Sequence, residues 1–265
     1  MKIAIIGVGN LGYSIAVGIL NQKKDIKCQA LYLTKRNISS LEHLSKLSVV
    51  KLTSDNKRAV KFSDVIIISV LPTQLKSVLE EVKSEINPSR HTIISVATGR
   101  EIIEIESILG SKVPIIRAMP NTAISVGQSM TCLSGNEKAN VKMQCAKTIF
   151  NALGQTLCID EKHMQAATVI CASGIAFWMR LIRATTQGAV QLGFHSEEAQ
   201  QLSVQTCLGA ASLLIDSQNH PEQEIDKVTT PSGCTIEGLN EMEHQGLSSS
   251  LIRGLVTSYE KISEI

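Results

Sequence analysis

Through residue 117 the chain alternates two patterns. Short apolar runs of strand length are followed by stretches in which apolar residues recur every three or four positions. The runs lie before Gly7 and at Cys28–Leu33, Val49–Leu52, Val65–Val70, Thr92–Val96 and Val113–Arg117. Helical periodicity follows Gly12 and returns at Leu41–Leu47, Gln74–Ile86 and Glu101–Leu109. Strands that alternate with helices in this way predict a parallel sheet, doubly wound by right-handed crossovers. From Glu161 onward the pattern is helical, over Ala166–Leu192, Ser196–Ser217, Thr235–Gln245 and Ser248–Glu264. Breaks are expected at Gly193-Phe194-His195, at Asn219-His220-Pro221, in the loop before Thr235 and at Gly246. The apolar faces of these helices are too extensive for a monomer of this size to cover, which predicts a dimer.

The first strand runs directly into Gly7, Gly9 and Gly12 and then a helix, the G-x-G-x-x-G spacing of a dinucleotide-binding turn. Gly7 allows the tight turn, Gly9 lets the backbone approach a pyrophosphate, and Gly12 lets the helix pack close to its strand. A reader of the NAD ribose would end the second strand on an acidic residue. Here it ends Thr34-Lys35-Arg36-Asn37 instead. A hydroxyl, two cations and an amide suit a 2′-phosphate, with Arg36 to pair with it and stack on adenine, so NADPH is expected in preference to NADH. Loops at Val70-Leu71-Pro72, Ala97-Thr98-Gly99 and Arg117–Thr122 should emerge at the same edge, with Met119, Pro120 and Asn121 nearest the nicotinamide.

Asp226–Leu247 reads DKVTTPSGCTIEGLNEMEHQGL, hydroxyl residues, proline and glycine running into a helix. Two explanations fit. The stretch is an ordinary loop with a good helix cap, or a helix start whose exposed N–H groups and dipole hold an anion.

Composition narrows the field. A formal charge of +2, no run of basic residues and 3% aromatics argue against nucleic acid. Apolar runs such as Val65–Leu71 are strand-sized, so no membrane span is expected, and with no signal-peptide layout the cytosol is the default. Seven cysteines without a CxxC pair or Cys/His cluster point to free thiols in a reducing compartment and to no metal. The six histidines are scattered and suggest no triad.

IGVGNLG at the start, SDNKRAV around Asn56, RAMPNT at 117–122 and VTTPSGCTIEGLNEME at 228–243 together resemble the pyrroline-5-carboxylate reductase family. The resemblance runs from end to end. It implies an NADP-binding Rossmann domain over residues 1–160 and a helical domain over 161–265 that binds substrate and dimerises, with larger assemblies also compatible. The implied reaction is NAD(P)H-dependent reduction of 1-pyrroline-5-carboxylate to L-proline, the last step of proline synthesis. On the family pattern Gly7, Gly9, Asn10 and Leu11 contact the pyrophosphate, with Gly12 behind them. Thr34, Arg36 and Asn56 lie at the 2′-phosphate end, Val70 and Pro72 line the cofactor, and Met119, Pro120 and Asn121 face the nicotinamide. The loop holding Thr230, Ser232, Gly233, Cys234 and Thr235 cradles the substrate carboxylate, and Thr235 is the residue beside the imine nitrogen.

Several positions depart from the pattern: Leu71 replaces a common lysine, Ile175 a proline, Phe177 a tyrosine, Arg183 and Gln187 residues often acidic, and Ser232 a glycine. Losing the Phe177 hydroxyl removes one hydrogen bond, on the order of 1 kcal/mol. The departures leave open a paralogue that reduces another imine or a 2-oxo acid, or a protein that binds NADPH without catalysis. Against 2-oxo acids, the helix Ala166–Leu192 lacks the lysine that hydroxyacid dehydrogenases of this two-domain plan use.

Overall fold

The computed structural model describes residues 1–262, which divide by internal contacts into two compact units, Met1–Ser173 with residues 261–262, and Gly174–Glu260.

The first unit is built on one eight-stranded sheet in the order β3-β2-β1-β4-β5-β6-β7-β8. Its strands are β1 (Lys2–Ile6), β2 (Ala30–Thr34), β3 (Val50–Thr53), β4 (Val65–Ile68), β5 (Thr92–Ser95), β6 (Ile115–Met119), β7 (Ser129–Gly135) and β8 (Gly154–Cys158). The first six are parallel; β7 joins β6 antiparallel and β8 follows β7 in parallel. The parallel sheet expected from the first six strands therefore forms, and two strands that the sequence pattern did not predict are added after the β6–β7 turn, where Thr122–Val126 reverses the chain in a 3-10 turn ended by left-handed Gly127.

Helices α1 (Asn10–Asn21), α2 (Lys23–Ile26), α3 (Asn56–Lys61), α4 (Pro72–Val82), α5 (Ile102–Leu109), α6 (Met143–Asn151) and α7 (Met164–Ala167) complete this unit. Along β1, Ile3 and Ile5 enter one apolar cluster with α1 and α6, whereas Ala4 and Ile6 enter a second with α4 and α5. Both faces of the sheet are thus covered, and each fully buried isoleucine contributes about 1.5–3 kcal/mol.

Differences from the predicted elements have local causes. Ser39–Lys46 is a 3-10 helix, because the polar run SSLEHLSK offers few apolar contacts and only Leu41 and Leu44 bury. Strand β2 continues to Thr34, and β6 takes in Arg117–Met119, which the sequence pattern assigns partly to a loop. Thr168–Ser173 is a π-helical segment inside the expected Ala166–Leu192 helix, with the Thr168 hydroxyl donating back to the Met164 carbonyl.

The second unit holds α8 (Gly174–Gln191), α9 (Ser196–Ser217), α10 (Pro221–Val228), α11 (Cys234–His244) and, up to Glu260, α12 (Leu247–Ile262). The break expected at Asn219-His220-Pro221 occurs at 218–220, and Pro221 opens α10 at its first position. The expected end of the last helix at Glu264 lies outside the described residues. On α8 and α9 the buried residues are small ones, Gly174, Thr186, Ala199 and Ser203. Trp178, Met179, Leu192, Leu208, Ile215 and Ile252 are all more than half exposed. Contrary to the strand-sized expectation, the helical run Glu161–Gln191 is long and apolar enough by length and composition to cross a membrane. The same composition is what a helix needs to cover itself with a second protein surface.

Candidate functional site

An open cleft of about 880 Å³ lies in the first unit along the carboxyl ends of β1, β2, β4 and β5. It includes the switch point where β1 is flanked by β2 on one side and β4 on the other, the place at which open α/β sheets bind ligands. Gly7, Gly9, Asn10, Leu11, Thr34, Arg36, Asn56, Val70 and Pro72 all line it.

Gly7 turns the chain at φ +85°, and an added methyl would meet Val70 and stand 2.9 Å from the Ser69 carbonyl oxygen. A methyl on Gly12 would stand 2.9 Å from the Gly7 carbonyl oxygen and 3.1 Å from Ser69 Oγ, so helix and turn are in contact. A methyl on Gly9 would meet nothing within 4 Å. Gly9 is also the N-cap of α1; no side chain caps that helix and no acid lies in its first turn. The partial positive charge of the helix start is therefore available to an anion in the cleft.

Thr34 is buried, and its roles are structural as well as lining. Its Oγ1 accepts from Gly7 N–H at 3.2 Å and its carbonyl accepts from Val8 N–H at 2.9 Å, tying the glycine turn to the end of β2. Beyond it Lys35 donates to Ser40 Oγ at 2.9 Å, and Asn37 Oδ1 accepts from Ser39 N–H at 3.0 Å. Arg36 is exposed and makes no ion pair among the described residues, which leaves its whole guanidinium fork for a ligand.

Sequence inspection missed Glu81, on α4 and also in the cleft wall. Asn56 Nδ2 donates to Glu81 Oε2 at 3.0 Å. An ionised carboxylate only accepts, so the Asn56 amino group is turned toward Glu81 and its Oδ1 is directed elsewhere. An acceptor oxygen suits a ribose hydroxyl better than a phosphate. The only signal in the sequence was a glutamate on the helix after the Val70-Leu71-Pro72 loop, and nothing linked it to Asn56.

Met119, Pro120 and Asn121 are buried and are absent from the cleft wall. Asn121 Oδ1 accepts from Ala123 N–H at 3.0 Å, its N–H donates to Ser129 Oγ at 3.1 Å, and its Nδ2 donates to the Cys171 carbonyl at 3.0 Å. Arg117, in the same run, is 6% exposed and pairs with Glu161 at 2.8 Å. The same Glu161 oxygen accepts from Ile102 N–H at 2.7 Å, fixing the start of α5 to the end of β6.

The loop before α11 belongs to the second unit. Gly233 N–H donates to the Thr230 carbonyl at 2.9 Å, closing a turn with Pro231 and Ser232 at its centre. Ser232 sits at φ +55°, the left-handed position that a type II turn reserves for glycine. It costs about 1–2 kcal/mol there, the kind of strain that gathers at functional sites. A methyl on Gly233 would run into Thr230 Oγ1. Gly233 is the N-cap of α11, again without a side-chain cap. Of the two explanations for this stretch, a serine or threonine cap is therefore not what the loop makes. Thr230, Ser232, Cys234 and Thr235 are exposed, and Glu237 is the one acid in the first turn. Of the substrate-side departures, Arg183 and Gln187 are exposed on α8, Ile175 and Phe177 are half-buried, and Leu71 is 65% exposed in the cleft wall.

Two family models match: one for pyrroline-5-carboxylate reductase dimerisation over residues 161–265, and one for NADP oxidoreductase, coenzyme F420-dependent, over residues 2–99. The chain is 46% identical to pyrroline-5-carboxylate reductase 1 of Dictyostelium discoideum over 99% of its own length, and it spans only 49% of that relative. It is 42% identical to pyrroline-5-carboxylate reductase 2 of the same organism, covering 99% of the chain and 92% of the relative. Among solved structures, Plasmodium falciparum pyrroline carboxylate reductase with NADP bound superposes with a TM-score of 0.89 at 26% identity, over 100% of this chain and 97% of that one.

Proposed function

Because the chain belongs to the pyrroline-5-carboxylate reductase family, we propose that it reduces 1-pyrroline-5-carboxylate to L-proline with NADPH. The observation that carries this is the occurrence, in one chain, of two helices that begin at a glycine with no side-chain cap. One start suits a pyrophosphate over an open cleft, and the other suits a small carboxylate in an exposed loop.

The residues present fit the cofactor: the cleft is long, Gly9 leaves its floor bare, and Arg36 offers an unpaired fork. When bound, NADPH supplies the hydride that the imine carbon accepts. Gly7, Gly9, Asn10 and Leu11 hold the pyrophosphate through the start of α1, with Gly12 keeping that helix close. Arg36 takes the 2′-phosphate, Thr34 fixes the turn that presents it, and Asn56, turned by Glu81, accepts from the ribose. Val70 and Pro72 line the cofactor, while Met119, Pro120 and Asn121 stiffen the nicotinamide end from beneath.

In the second unit, the N–H groups of Ser232, Cys234 and Thr235 and the Thr230 hydroxyl bind the substrate carboxylate, while Gly233, whose N–H is held by the Thr230 carbonyl, shapes the turn. The Thr235 hydroxyl hydrogen-bonds the imine nitrogen and orients the ring, and a proton from solvent goes to that nitrogen as the carbon accepts hydride. Little more is required of the protein, since hydride transfer to an activated imine depends mainly on positioning. The NADP-binding portion is residues 1–160 and the substrate and dimerisation portion 161–265. A second copy of the chain covers the exposed apolar faces of α8, α9 and α12. The free cysteines suit a reducing, cytosolic setting.

The test is turnover of purified protein with 1-pyrroline-5-carboxylate, following NADPH absorbance and L-proline formation together. Stoichiometric proline supports the assignment. NADPH binding without proline would contradict it and move the weight to another imine or to a noncatalytic role.

A further inference from the structure

Below the end of β6, two thiols from distant parts of the chain face each other. Cys132 lies on β7 directly across from Met119 of β6, and Cys171 lies in the π-helical segment Thr168–Ser173. Their sulfurs are 3.9 Å apart. Cys132 is 3% exposed, while Cys171 is only partly buried and so within reach of a small solute. Met119, Met164 and Ala167 enclose the pair. We propose that Cys132 and Cys171 form an oxidisable dithiol, a modification site that peroxides convert to an intrachain disulfide.

The thiols have different roles. Either thiol can donate across this contact; with Cys132 as the donor, it draws the Cys171 thiol down to about 7 against the opposing effect of burial. The same contact, reinforced by burial, pushes Cys132 up. Cys171, the partly exposed member of the pair, is therefore the attacking thiolate, and buried Cys132 the resolving thiol. The Cys171 sulfur attacks one peroxide oxygen, the O–O bond breaks and hydroxide leaves, giving a sulfenic acid. The Cys132 sulfur then attacks the Cys171 sulfur, loses its proton and expels hydroxide. In sum two thiols and hydrogen peroxide give one disulfide and two waters, the sulfurs surrendering the two electrons that reduce the peroxide. None of the remaining cysteines has a thiol partner of this kind among the described residues.

Closing the bond draws the sulfurs from 3.9 Å to about 2.05 Å. β7 is held on one side by β6 and on the other by β8, so the movement falls on the π segment. The Cys171 carbonyl holds Asn121 Nδ2 at 3.0 Å, and the shift therefore reaches Asn121 and, through packing, Met119. Resting on the function proposed above, the oxidised form has a disturbed nicotinamide end and reduced turnover.

The full-length reduced protein is treated with stoichiometric hydrogen peroxide, alkylated and digested with trypsin without reductant. The expected product links peptide Ala118–Lys138 to peptide His163–Arg180. Turnover falls with the same time course and returns with dithiothreitol, and in Cys171→Ser both link and inhibition are lost. Recovery of both peptides fully alkylated, after exposed Cys158 and Cys234 have been oxidised, overturns the dithiol without reference to any variant. A link with unchanged turnover overturns the coupling to Asn121. A link in a protein that never yields proline, even when reduced, defeats the proposed reaction and leaves the dithiol standing.

Discussion

The starts of α1 and α11 share a plan and differ in support. Each begins at a glycine N-cap with no side chain bonded to the helix end. Around α1 everything else is fixed: the left-handed position is Gly7, the neighbouring turn is tied to Thr34, and Ser69 and Val70 pack against the glycines. Around α11 the left-handed position is Ser232 and the loop is exposed. The first site is preorganised by the core of its own unit, and strain there is absent because glycine occupies the turn. The second is a bare polypeptide end carrying a strained residue, with a ligand left to supply the missing hydrogen-bond partners.

Gly7→Ala strikes the preorganised site hardest. A left-handed alanine costs about 1–2 kcal/mol, and its methyl would crowd Val70 and the Ser69 carbonyl. A loss of about 3 kcal/mol in stability is expected, read as a fall of about 5–10 °C in Tm, together with loss of measurable NADPH binding. Arg36→Asp comes next. It removes a charge-assisted pair worth about 1.5–3 kcal/mol and adds repulsion, so NADPH affinity should fall about 100-fold in a fluorescence titration while NADH affinity barely moves. Thr235→Ala acts on the other site. Removing one hydroxyl bond should lower kcat/KM for the imine about 10-fold, with the NADPH Kd unchanged.

Two smaller changes sharpen the contrast. Glu81→Gln keeps a partner for Asn56 but removes a negative charge from the cleft wall; NADPH should bind a few-fold tighter, about 0.5–1 kcal/mol, and NADH much less so. Ser232→Gly relieves the left-handed strain but loosens the unfolded chain by about 0.5–1 kcal/mol. The net gain should be about 0.5 kcal/mol, or 1–2 °C in Tm, and a larger gain would mean that the loop stores more strain than its φ indicates.

The parallel part of the fold was legible because its strands are continuous apolar runs and its turn glycines stand at fixed spacing. The antiparallel return through β7 and β8 was not, since β8 (GQTLC) is short and mostly exposed. The 3-10 helix after β2 and the π segment before α8 turn on which local hydrogen bonds form, which apolar periodicity does not encode. At the cofactor site the glycine turn and Arg36 could be read directly. Glu81 could not, because its meaning comes from Asn56, 25 residues away. The burial of Met119–Asn121 was equally hidden: a short motif looks the same whether its side chains face a ligand or hold up the wall behind it.

The claim that the two helix starts serve two different anions is tested most directly by measuring NADPH Kd and imine kcat/KM in parallel for wild type, Arg36→Asp and Thr235→Ala. The account predicts separation: Arg36→Asp weakens NADPH binding and leaves NADH-supported turnover, whereas Thr235→Ala lowers kcat/KM about 10-fold with both cofactors and keeps NADPH affinity. If Thr235→Ala weakened NADPH binding as much as turnover, or Arg36→Asp lowered NADH-supported and NADPH-supported turnover equally, the division of roles would be contradicted.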